Sequence, residues 1–258
     1  MKKDDINAHP LLEIKNLSIN YNFNEERLEV VNNISLEVWN GEFVCVVGPN
    51  GCGKTTLVHA VAGFLPLTSG QVLLGGKEVL TPNPNCPLIL QNLGLFYWMT
   101  VWDNVTFGLR AMNLETEEID RIAKRWLDIV GLNGFEKRYP FELSGGMRQK
   151  LALARALVLG PKVLLMDEPF ANLDMQTRES MQEEISRLAD STGMTVLMVT
   201  HNLDEAVFLA DRIVLLTERP ARVKEIVHVS TAHPRSPEFR VSQEFLEIKS
   251  RVWMSLKN

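Results

Sequence analysis

The chain has 258 residues, enough for one large domain with its own core. Its 45% hydrophobic and 23% charged residues exclude the disordered, collagen-like and low-complexity classes. Its 27 Lys and Arg against 32 Asp and Glu, a net charge of −5, argue against a dedicated nucleic-acid binder.

Three cysteines, Cys45, Cys52 and Cys86, show no CxxC spacing and fit a reducing compartment. No apolar run reaches the 18 or more residues of a membrane span. Met1-Lys2-Lys3-Asp4-Asp5 carries acids where a signal peptide begins its apolar stretch. The expectation is a cytoplasmic protein.

In chain order, Leu12, Ile14, Leu17 and Ile19 alternate roughly, and Ile34, Leu36 and Val38 strictly, predicting half-buried strands. Asn40-Gly41 then predicts a hairpin turn. Phe43–Val47 is apolar on both faces, the pattern of a strand inside a parallel sheet. A helix is expected from Thr55 to Gly63, and a second hairpin across Gly75-Gly76. Ile119, Ile122, Ala123, Trp126, Ile129 and Val130 recur at helical spacing, and a further helix is expected around 147–159. Val163–Met166 reads as a buried strand. A helix bearing Met181, Ile185 and Leu188, a strand Thr195–Val199, a helix from about Leu203 and a strand Arg212–Leu216 follow. Buried strands alternating with helices imply a parallel α/β sheet. Beyond Pro234 and Pro237, Phe245, Ile248, Val252 and Leu256 line one helical face, expected to cover the chain's own domain.

Three motifs carry chemistry. Gly48-Pro49-Asn50-Gly51-Cys52-Gly53-Lys54-Thr55 fits G-x-x-x-x-G-K-[ST] between a buried strand and a helix. Its glycines let backbone N–H groups close around phosphates, and the helix N-terminus adds positive potential. Lys54 would reach the β- and γ-phosphates and Thr55 would bind Mg²⁺. Asp167, at the end of a buried strand, stands where ligands bind in parallel sheets and would hold the same Mg²⁺; Glu168 could polarise a water. Leu143-Ser144-Gly145-Gly146 before a helix offers a second anion site, a pattern that taken alone also suits an ordinary N-cap.

Ser144 follows Lys54 by about 90 residues and precedes Asp167 by about 23. This order and spacing resemble the ATP-binding cassette ATPases over nearly the whole chain, to about residue 220. The resemblance implies a P-loop NTPase with a RecA-like parallel core, an N-terminal antiparallel β subdomain and an inserted helical subdomain. Its divisions would be 1–91 and 156–220 for the core with the β subdomain, 92–155 for the helical insertion and 221–258 for the tail. It gives Gln91 the place of a glutamine that touches Mg²⁺ and water, and His201 that of a switch histidine at the γ-phosphate. Asp174, in Asn172-Leu173-Asp174, takes the place of a loop crossing the dimer interface, and Tyr21 that of an aromatic stacked on adenine. Tyr21 also reads as a packing residue. Thr56 belongs to the nucleotide loop; Ser144, Gly145, Gly146 and Gln149 would serve the ATP of a second cassette, bound head to tail as homodimer or heterodimer.

Leu90-Gln91 through Val105, Glu168–Asp174 and Thr200–Val207 resemble more narrowly the ATPase subunits of nitrate, sulfonate and taurine-type importers. Met147 and Ala171-Asn172 depart from that family's usual Gln and Gly-Ala. The resemblance implies attachment to the cytoplasmic face of the membrane through permease subunits, which Phe96, Tyr97, Trp98 and Trp102 would contact. These aromatics are equally suited to packing the helical region. An external solute-binding protein would act indirectly, for a small anionic solute such as nitrate, sulfonate, taurine or bicarbonate. No nucleic-acid partner is expected. A soluble cassette ATPase acting on nucleic acid or ribosomes, or the ATPase of an exporter or lipid transporter, are the alternative readings.

Overall fold

A computed structural model describes residues 9–23 and 26–257; Met1–Asp5 lie outside the described residues. Two sheets organise the chain. The first is antiparallel, with order β2-β1-β4-β5, formed by β1 (Leu12–Phe23), β2 (Glu26–Val38), β4 (Ser69–Leu74) and β5 (Lys77–Glu78). The second has order β10-β9-β3-β8-β7-β6. Its members are β3 (Phe43–Val47), β6 (Leu88–Ile89), β7 (Val163–Asp167), β8 (Thr195–Thr200), β9 (Arg212–Leu216) and β10 (Val223–His228). All its pairs are parallel except β9 with β10.

The apolar-on-both-faces strands are explained by two cores. Phe43, Cys45 and Val47 enter one core; Val44 and Val46 enter the other. The second core lies between the parallel sheet, helix α1 (Lys54–Val61) and the antiparallel sheet, through Leu12, Ile14, Val31 and Leu57. The first lies under the remaining helices: α2 (Val101–Ala111), α3 (Thr116–Ile129), α4 (Gly145–Leu157), α5 (Met175–Thr192), α6 (Leu203–Leu209) and α7 (Gln243–Lys257). A strand with helices on one face and a sheet on the other has no solvent side, so period-2 patterning disappears. Phe245 and Val252 of α7 are buried in that first core, and Ile248 and Leu256 pack on it.

One expectation needs correction. Asn40-Gly41 turns the chain but makes no hairpin: β2 pairs with β1, while β3 pairs with β8 and β9 in the other sheet. A turn dipeptide reports chain reversal and leaves the partner strand open. The strands β6 and β10 carry no sequence signal of their own, being a two-residue edge strand and a half-exposed one. Gly75-Gly76 does form the expected hairpin, with Leu74 opposite Lys77 and both glycines at positive φ. The uneven alternation in β1 has a local cause. Register shifts between Ile14 and Leu17, around Asn16 at φ 49°, keep both residues inward across an odd spacing. No helix among the described residues is long and apolar enough to cross a membrane.

Candidate functional site

The phosphate-loop segment Gly48–Thr55 joins β3 to α1. Gly53 sits at φ 124°, and a Cβ there would meet Val30 Cγ1 at 3.0 Å, so only glycine suits the turn into the helix. Cys52 is buried inside the loop, and burial pushes its thiol up. Pro49 is half-buried, Asn50 and Gly51 are exposed, and Thr56 faces partly to solvent beside the exposed Thr55. Lys54 is itself buried, and its ammonium donates to the carbonyls of Gly48 (2.9 Å) and Pro49 (3.0 Å). The loop thus keeps its own cation folded over its backbone.

Asp167 ends β7 directly beneath this loop. Thr55 Oγ1 donates to its Oδ1 at 3.1 Å, joining two residues 112 positions apart. From the next turn of α1, His59 Nε2 faces Oδ2 at 3.6 Å. The Asp167 carboxylate is buried, and burial raises its proton affinity, opposed by the Thr55 hydroxyl and His59.

Glu168 follows with φ 45°, a conformation few non-glycine residues adopt. Its amide donates to Val199 O (3.0 Å), which fixes this bend to the end of β8. The bend delivers Glu168 Oε2 to 2.9 Å from His201 Nδ1. His201 is exposed, whereas its neighbour Thr200 is buried and donates to Glu205 Oε2 at 2.6 Å. Burial raises the Glu205 carboxyl, and the Thr200 bond and Arg178 act against it. Arg178 Nε lies 3.9 Å from Glu205 Oε1 and its Nη2 donates to Leu173 O at 2.9 Å. Glu168, Ala171, Arg178, Thr200, His201, Asn202 and Glu205 enclose a cavity of about 40 Å³, room for one or two waters.

The Ser-Gly-Gly segment opens α4. Ser144 is its N-cap, accepting from Met147 N at 3.3 Å, so the simple capping role is realised within this chain. The glycines have a packing reason: a Cβ on Gly146 would stand 2.9 Å from Thr177 Cγ2, and one on Gly145 would stand 3.2 Å from Leu173 Cδ2. Asp174 caps α5 in the same way, bonding Thr177 N and Oγ1, which hold its carboxyl below the usual range. Gln149 is buried, and its Nε2 has no hydrogen-bond partner among the described residues.

Gln91 follows β6, whose Ile89 pairs with Met166 of β7, and stands beside this segment. It is exposed and lines a cleft of about 150 Å³ with Tyr97, Gly145, Gln149 and Asn172, and its carbonyl accepts from Asn172 Nδ2 at 3.2 Å. The structure therefore forms three clusters: the phosphate loop with Asp167, the Glu168–His201 pair, and the Ser144–Gly146 segment with Gln91 and Leu173. Tyr21 is 41% exposed on β1, opposite Leu28, two residues from the Val30 that touches the phosphate loop. Its ring is not a core residue.

Beyond Gln91, two residues pin an aromatic loop. Arg155 of α4 donates to Gly94 O (2.7 Å) and Leu93 O (3.0 Å) and lies over the Phe96 ring. The buried Asn104 accepts from Phe96 N and donates to Phe96 O, both at 3.0 Å. Phe96 touches Trp98 and Phe107, with ring centroids at 5.5 and 4.8 Å. Tyr97, Trp98 and Phe107 are exposed; Trp102 packs on the core instead. Phe107, like His59 and Arg178, lies outside any motif. The helical spacing of His59 from Thr55 was the one signal available for it.

This arrangement agrees with what the chain resembles. The ABC transporter family profile matches residues 31–171. The chain belongs to the ABC transporter family. An uncharacterized ABC transporter ATP-binding protein of Methanocaldococcus jannaschii is 47% identical over 247 residues, 96% of this chain and 91% of that one. A taurine import ATP-binding protein of Roseobacter denitrificans is 38% identical over 94% of both chains. A bicarbonate transport ATP-binding protein of Synechocystis is 41% identical over 87% of this chain and 80% of that one. Among solved structures, a dimeric bacterial ABC transporter cassette superposes with a TM-score of 0.75 at 26% identity, over 86% of this chain and all of that one. The cassette is thus an ATPase of the P-loop NTPase fold.

Proposed function

We propose that this cassette hydrolyses ATP to drive an importer of a small anionic solute, paired head to tail with a second cassette and held to the cytoplasmic face of a membrane by permease subunits. The taurine and bicarbonate relatives support the solute class. The observation that carries the reading is the Glu168–His201 pair standing one residue beyond the buried Asp167–Thr55 pair, at the carboxyl ends of β7 and β8.

In this reading Lys54 exchanges the carbonyls of Gly48 and Pro49 for phosphate oxygens, and Gly51–Thr56 supply N–H groups at the helix N-terminus. Thr55 and Asp167 suit Mg²⁺: both present oxygen, and a phosphate-bound Mg²⁺ needs few protein ligands. A divalent cation would also offset the burial of a carboxylate that is 4% exposed. When bound, the metal neutralises charge developing on the phosphates. Glu168 orients a water in the adjoining cavity and takes its proton, and His201 holds that carboxylate in place. Tyr21 offers an exposed ring to the base. Ser144, Gly145, Gly146 and Gln149 act on the partner cassette's nucleotide, Asp174 lies at the same interface, and Gln91 links that segment to the membrane partner. Phe96, Tyr97, Trp98 and Trp102 receive the permease, and an external binding protein selects the solute.

Glu168→Gln tests this. The amide keeps the size and loses the base, so ATP binding persists while turnover falls by about 10²–10⁴-fold. With ATP the variant also elutes as a dimer in size-exclusion chromatography with light scattering. Turnover within a few-fold of the parent would remove Glu168 from the role of base.

A further inference from the structure

We infer that His59 is a positioning residue for Asp167, holding the carboxylate in the orientation that receives the divalent cation. The inference rests on the proposed role of Asp167 as a metal ligand.

Residues four apart on a helix share a face, so Thr55 and His59 of α1 project toward the same strand end one turn apart. Thr55 Oγ1 approaches Oδ1 of Asp167 at 3.1 Å. His59 Nε2 approaches Oδ2 at 3.6 Å. The two carboxylate oxygens are thus faced separately, from one rigid element. Thr55 alone leaves the carboxylate free to rotate about its contact; a second contact on the other oxygen removes that freedom.

The state of the imidazole supports this. Its Nε2 atom is buried yet has no hydrogen-bond partner among the described residues. A buried ring nitrogen left unpaired is costly unless a nearby group completes it. The carboxylate that faces it among the described residues is Asp167, slightly beyond hydrogen-bond length. The Phe64 ring lies near the imidazole, at 6.2 Å between centroids. A shift of about half an ångström closes the bond. A Thr hydroxyl that ligates a metal through a lone pair keeps its proton for Oδ1, so both contacts persist with the cation bound. Groups that hold a ligand from behind in this way set metal affinity, typically by about 10–100-fold. The long contact and the part-exposed ring of His59 place the expected effect at the low end.

The test compares His59→Ala, His59→Asn and His59→Gln with the full chain, using Mn²⁺ as the probe. Electron paramagnetic resonance of Mn²⁺ titrated into the protein loaded with a non-hydrolysable ATP analogue reads metal uptake without turnover. A fluorescent ATP analogue in EDTA reads nucleotide binding without metal. Half-saturating Mn²⁺ is expected to rise about 5–10-fold in His59→Ala and in the short His59→Asn, with metal-free nucleotide affinity within twofold. His59→Gln, whose longer amide can still donate to Oδ2, restores most of the affinity. Unchanged metal affinity in all three variants overturns the inference, as does an equal loss of metal-free nucleotide binding, which would mark a merely structural role. If His59→Ala misfolds, the contrast between the Asn and Gln variants decides. Absence of Mn²⁺ uptake by the unmodified protein, or uptake that survives Asp167→Asn, would instead overturn the metal role of Asp167 itself.

Discussion

Replacing Arg178 by Met should destabilise the cassette through a carboxylate it does not touch closely. Glu205 is 3% exposed and is held by the Thr200 hydroxyl at 2.6 Å and by Arg178 at 3.9 Å. At that separation the attraction is about 4 kcal/mol for an effective dielectric near 20. The Arg178 side chain is 29% exposed, so solvent screens much of this. Removing the guanidinium also loses its bond to Leu173 O. The sum of a screened pair and one hydrogen bond is about 2 kcal/mol, a fall in Tm of about 4–8 °C. The pH dependence carries the sign. Burial already raises the Glu205 carboxyl, and losing Arg178 raises it further. A group whose pKa is higher folded than unfolded contributes stability at low pH and loses it as pH rises through the folded value. The gap between parent and variant therefore widens from about pH 5 to about pH 8. Urea denaturation at both pH values measures it. In a Glu205→Gln background the same substitution should cost under about 1 kcal/mol, without the pH trend. Equal cost in both backgrounds would refute the pairing.

Gly70→Ala should be severe, because the new Cβ would lie 2.4 Å from the carbonyl oxygens of Lys15 and Asn16 at φ 84°. A loss above about 3 kcal/mol in urea denaturation, or an insoluble product, is expected, against about 1–2 kcal/mol for Gly76→Ala, which meets nothing within 4 Å and carries only the strain of φ 75°. Asn104→Ala strips the bonds to Phe96 N and O from a fully buried site, costing about 2–3 kcal/mol. Hydrogen exchange should then rise around Phe96–Trp98 while the phosphate loop stays protected. Uniform exchange across the chain would show that Asn104 stabilises the fold at large instead of the aromatic loop.

Much of the fold is written along the chain. Buried strands such as Phe43–Val47 and the run 163–166 announce themselves because both faces are covered, so those residues are apolar. The phosphate loop, Asp167, Glu168 and Ser144 are legible for a related reason: backbone geometry and charge at a helix end tolerate few residue types. Element boundaries at β6 and β10 escaped, since an edge strand is selected by its neighbour and not by its own pattern.

What the sequence by itself determined is that a glycine-rich loop joins a buried strand to a helix, and that the sheet is parallel with helices between its strands. What only the tertiary structure decided is who stands beside whom. Asn40-Gly41 could turn the chain, but pairing across sheets sent β3 away from β2. Gln91 fell beside Gly145 and Asn172, because β6 pairs with β7 and Asn172 bonds the Gln91 carbonyl. His59 and Arg178 belong to no motif; their contacts with Asp167 and Glu205 join different elements. A motif records local geometry, whereas an ion pair or an orphaned nitrogen exists only once packing has brought its partner near and removed the water between them.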